Sequence, residues 1–129
     1  MKAVIICLVI TFCLSTNVVR AQDHTLKHDI KNLVDSAQKR TKLWPWKPAG
    51  PEVAIVAAHG KVAAPLLVKL LVAQPDTDAK NLGVQQEVAL ALCEIYNVTK
   101  EAGHIYMNRT IRKTNNRIKK FWGVKVGGQ

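Results

Sequence analysis

Side chains able to do nucleophilic or acid–base chemistry are few beyond residue 21: one thiol, Cys93, four imidazoles, His24, His28, His59 and His104, and one serine, Ser36. Cys93 and His104 would make a nucleophile and its base, because a neighbouring imidazole lowers a thiol pKa. Cys93, however, stands inside a strongly apolar run, where an unpaired cysteine acts as a small core hydrophobe. No catalytic residue is assigned on this reading, and the chain is expected to be no enzyme. If exposed, Cys93 would instead be open to an intermolecular disulfide.

His24 and His28 are four residues apart, so on a helix both could face one metal ion, with Asp23 or Asp29 beside them. A fourth clear ligand is missing, and no cofactor is assigned. A chain beginning at Gln22 would read Gln-Asp-His. Its amine, two backbone amides and the His24 imidazole would form the planar nitrogen set that Cu(II) or Ni(II) prefers. Cyclisation of Gln22 would remove that amine. His59, before Gly60, reads as a cation-capable side chain near a helix C-terminus, where the helix dipole favours it. Asn97-Val98-Thr99 and Asn108-Arg109-Thr110 are N-glycosylation sequons, with meaning only in a eukaryotic secretory pathway.

The elements that must position these groups begin with a targeting segment. Met1-Lys2 precedes an apolar run from Ala3 to Leu14, followed by Ser15-Thr16-Asn17 and Val19-Arg20-Ala21. A positive start, a short apolar stretch and small residues before the cleavage point predict a secretory signal peptide over 1–21. The protein is then secreted or periplasmic. Cys7 and Cys13 would leave with the signal, so Cys93 could form no intramolecular disulfide, and an apolar core must carry stability.

Residues 22–41 predict an amphipathic helix, with Leu26, Ile30, Leu33, Val34 and Ala37 recurring every three or four residues. Pro45, Pro48 and Pro51 make 42–50 a connector. Its Trp44 and Trp46 suit either packing over the domain or a membrane interface. The helical domain is expected over 51–123. A helix begins at Pro51 and stops at Gly60, a second follows Pro65 to Ala73, and a third spans 84–98. A fourth covers 100–122 and ends at Gly123, leaving 124–129 as a flexible tail. No strand alternation or hairpin signal appears, so the fold class is all-α: a small helical bundle or short α-solenoid of about four helices.

The stretch Ala57-Ala58-His59-Gly60-Lys61-Val62-Ala63-Ala64-Pro65-Leu66-Leu67-Val68-Lys69-Leu70-Leu71 resembles a HEAT repeat of the short bacterial type, an armadillo-like helical repeat. It has a helix ending in Gly, a small-apolar-Pro step and a Leu-rich helix. Gln86-Glu87-Val88-Ala89-Leu90-Ala91-Leu92 resembles the opening helix of the next repeat. The resemblance covers residues 52–98, and it implies a protein-interaction scaffold without catalytic residues.

Charge supplies the second functional signal. The chain has 19 Lys and Arg against 9 Asp and Glu, a formal net charge of +10. Much of the excess sits in 102–129, which holds Arg109, Arg112, Lys113, Arg117, Lys119, Lys120 and Lys125 and no acidic residue. On a helix, Met107, Ile111, Thr114, Ile118, Phe121 and Trp122 fall within one arc, with the cations around the remainder. Two readings follow. In one, the chain is an exported interaction module that binds another protein, and the arc closes its core. In the other, the helix 107–122 docks on an anionic membrane or an extracellular polyanion through Arg109, Arg112, Lys113, Arg117, Lys119, Lys120 and Trp122. Export makes nucleic acid an unnatural partner.

Overall fold

The computed structural model describes residues 2–40, 50–76, 78–99 and 112–128, with side chains from Arg20 in the first helix and from Asn115 in the last. The elements are α1 (Lys2–Arg40), α2 (Pro51–Ala57), a 3-10 turn (Gly60–Ala63), α3 (Ala64–Ala73), α4 (Ala79–Tyr96) and α5 (Arg112–Gly127). No strand occurs among the described residues, and the fold is an all-α small bundle.

α4 is the axis of the bundle. Every residue from Leu82 to Cys93 is buried, so neighbours cover the helix on all sides. α1, α2 and α3 pack against it, and α5 packs on α3. α4 starts at Ala79, five residues before the expected Val84. Asp78, which reads as a turn residue, caps the helix instead, and its carboxylate accepts from the Asn81 backbone N–H at 2.8 Å. The helix ends at Asn97, which takes the left-handed conformation (φ 51°, ψ 44°) while Val98 N–H donates to the Cys93 carbonyl at 3.0 Å.

α1 is one continuous helix through Ser15-Thr16-Asn17 and Ala21, roughly 58 Å long at ~1.5 Å per residue. Its expected apolar stripe meets the core: Leu26, Leu33 and Ala37 are buried, and Ile30 and Val34 pack against them. α2 and α3 each carry a proline in their first turn, where no intrahelical donor is lost. Between them the chain bends by 104°. Gly60 makes that corner at φ +71°, and open space surrounds its Cα, so the left-handed backbone is the reason for glycine there.

α5 closes the bundle with Ile118 and Trp122, both buried; the Trp122 ring lies 5.8 Å from Tyr96 and 5.0 Å edge-on from Phe121. It continues past Gly123, the expected stop, to Gly127. Glycine inside a helix costs only about 1 kcal/mol, and Val126 beyond it packs on the core. Residues 124–127 of the expected flexible tail are therefore helical. The expected start of the fourth helix, including His104, Met107, Asn108, Arg109 and Ile111, lies outside the described residues, as do Trp44 and Trp46.

Candidate functional site

Three polar constellations join elements distant in sequence. The first is centred on Arg40, the last residue of α1. Its Nε donates to Glu87 Oε1 at 2.7 Å and its Nη2 to Glu87 Oε2 at 2.6 Å, a bidentate pair. Nη1 donates to Glu52 Oε2 at 3.0 Å, and the Ser36 hydroxyl donates to Glu52 Oε1 at 3.0 Å. α1, α2 and α4 thus meet at one guanidinium. Glu87 is 1% exposed. Burial pushes its carboxyl above the ordinary range, against the downward pull of Arg40 and the Gly50 N–H. Burial also raises Glu52, but its own backbone N–H, Ser36 and Arg40 together outweigh this and hold it below the ordinary range. Gly50 lets the chain pass this cluster: a Cβ there would collide with Arg40 Nη1 and come within 2.7 Å of Glu52 Oε2.

The second constellation ties α1 to the corner after α2, with His59 Nε2 and Asp29 Oδ2 2.7 Å apart. The third holds the α3–α4 loop. Gln85 Nε2 donates to the Gln74 carbonyl at 3.1 Å and to Asp76 Oδ1 at 2.8 Å, while Lys119 Nζ donates to the same carbonyl at 2.9 Å and lies 3.4 Å from Asp76 Oδ1. Each of the three therefore works as a tie between elements.

These ties redistribute the candidate chemistry. Asp29 turns to His59 and Asp23 bridges Lys27 at 2.8 Å, so neither stands free beside His24 and His28, which are exposed. Among the described residues, no three His, Cys, Asp or Glu side chains converge as a metal would require. Cys93 is a buried thiol, with Sγ 3.9 Å from the Thr99 carbonyl. Burial leaves it no route to an intermolecular disulfide in this conformation. An open groove of about 720 Å³ runs between α1 and the α2–α3 corner. Leu26, Ala58, Val62 and Leu66 give it apolar walls, and His59, already tied to Asp29, lines it as well.

The basic residues of α5 separate into different roles. Lys119 is spent on the loop tie, and Trp122 lies in the core, so neither is offered to a partner. Arg117 and Lys120 are exposed. With Phe121, Val124 and Lys125 they line one patch; at ~100° per residue Arg117, Lys120 and Val124 lie opposite Asn115, Ile118, Trp122 and Val126, while half-buried Phe121 and Lys125 flank the core side. Val124 is 67% exposed. Lys125 Nζ lies 5.6 Å from the centre of the Tyr96 ring, and Lys61 Nζ lies 5.5 Å from it. Asn97 is exposed at its turn. The Arg112 and Lys113 side chains lie outside the described ones.

Sequence reading misses the Arg40–Glu87 pair because the partners are 47 residues apart. One signal was available: Glu87 has Gly83 and Ala91 at the four-residue spacings, so no local cation neutralises it. No protein-family model matches this chain, and no curated protein or solved structure is similar to it at a significant level.

Proposed function

We propose that this protein is an exported, non-enzymatic helical binding module, a small HEAT-like scaffold that presents the basic outer face of α5 to an anionic partner. The observation that carries this reading is the division of α5. Its apolar side, with Ile118 and Trp122, is consumed by the core, and Lys119 is consumed by the loop, while Arg117, Lys120 and Val124 face outward. Charge along the chain supports it: no acidic residue follows Glu101 in the sequence. Arg40, Glu52, Glu87, Asp29, His59, Asp76 and Lys119 are engaged in ties between elements, which suits a scaffold.

The test is retention of the exported protein on immobilised heparin across a salt series. Ionic contact predicts elution that shifts steeply with salt. Passage without retention at low salt would remove the anionic partner. A hydrolytic or transfer activity lost on Cys93→Ala would remove the non-enzymatic half.

A further inference from the structure

The α5 patch combines two kinds of surface. Arg117, Lys120 and Lys125 supply cations, and Val124 stands exposed among them, beside Phe121, which packs on the core. Stepping from 117 to 120, 121 and 124 keeps to one stripe, because three- and four-residue steps return to the same helix face. The side chains on that stripe differ in what they would seek. A polyanion held only by phosphate or sulfate contacts needs the cations and has no use for an aliphatic side chain standing in solvent. A membrane interface uses both: headgroup charge attracts Lys and Arg, and the boundary with the acyl chains accepts short apolar side chains between them.

We infer that the outer face of α5 docks the protein on an anionic lipid surface, with Arg117, Lys120 and Lys125 on the headgroups and Val124 entering the interface. The inference rests on the binding-module reading and names its partner. The docking is peripheral. Ile118 and Trp122 stay in the core, so only the outer stripe is available, and the bundle need not open. Lys61, which meets the Tyr96 ring from α3's preceding turn as Lys125 does from α5, extends the cationic edge beyond one helix. The Arg40 and Lys119 charges take no part, since both are paired inside the bundle.

The experiment is co-sedimentation of the protein, purified from an exporting host, with phosphatidylglycerol vesicles and with phosphatidylcholine vesicles, beside retention on heparin. The expected result is binding to phosphatidylglycerol only, weakened about fivefold for each cation removed in Arg117→Gln and Lys120→Gln. Val124→Ser should lower vesicle binding several-fold and leave heparin retention unchanged. Val124→Trp, a substitution at an exposed position, should raise vesicle binding. Val124 variants that bind vesicles like the native protein, while heparin retention persists, would overturn the lipid partner and leave the anionic-partner reading standing. Equal binding to the two vesicle types would overturn it as well, by showing attachment without charge selection. Salt-insensitive behaviour toward vesicles and heparin alike would overturn both readings.

Discussion

Replacing Arg40 with methionine leaves two carboxylates facing a gap. Glu87 is 1% exposed, and the guanidinium supplies both of its side-chain hydrogen bonds, at 2.7 and 2.6 Å. Removing one member of such a buried pair costs about 3–5 kcal/mol, mainly because the surviving charge stays desolvated. A domain this size unfolds in urea with a slope of about 2 kcal/mol per molar, so the midpoint should fall by about 2 M. Arg40→Met/Glu87→Met removes the orphan charge together with its partner, and should recover at least half of the loss. Glu52 would keep its Ser36 contact and its partial exposure in that variant. The sign with pH follows from Glu87. Its carboxyl lies above the ordinary range, so the stability linked to its protonation is present at low pH and lost as pH rises through the folded-state value. The Arg40→Met penalty should therefore shrink on acidification. Urea titrations at two pH values, followed by circular dichroism, read all of this. A loss under about 1 kcal/mol, with the double variant equal to the sum of the singles, would refute the buried clamp.

Gly50→Ala should cost about 1–3 kcal/mol in the same titration, since the added methyl strikes the locked guanidinium although the backbone is extended there. Trp122→Ala should cost about 3–5 kcal/mol, as expected for a fully buried indole. Asp78→Ala should lose about 1 kcal/mol through the α4 cap. Glu52 is held below the ordinary range, so its contribution is present above its unfolded-state value and lost as pH falls through the folded one. Glu52→Gln should accordingly flatten the fall in melting temperature as pH drops through and below the ordinary carboxylate range.

The helical class was legible because apolar periodicity is a local property. The stripe Leu26, Ile30, Leu33, Val34 and Ala37 and the corner at Gly60 can each be read within a dozen residues. Ends decided by tertiary contact were less legible. α5 passes Gly123 because Val126 finds the core, and α4 begins early because Asp78 turns from loop residue to cap. The site was half legible. Charge excess pointed to α5, but its outward cations could not be told from Lys119 without knowing where the α3–α4 loop lies. The clamp at Arg40 was hidden by its separation along the chain, as was the pairing of Asp29 with His59 across 30 residues.

Net charge alone could hold a basic protein to an anionic surface, so position must be separated from amount. Arg117→Glu/Lys120→Glu and Lys39→Glu/Lys69→Glu change the formal charge equally, and all four side chains are exposed. The decisive measurement is the affinity of these two variants for phosphatidylglycerol vesicles at one ionic strength. The reversal on α5 should abolish binding while the reversal on α1 and α3 leaves most of it. Equal losses from the two variants would contradict a dedicated face on α5.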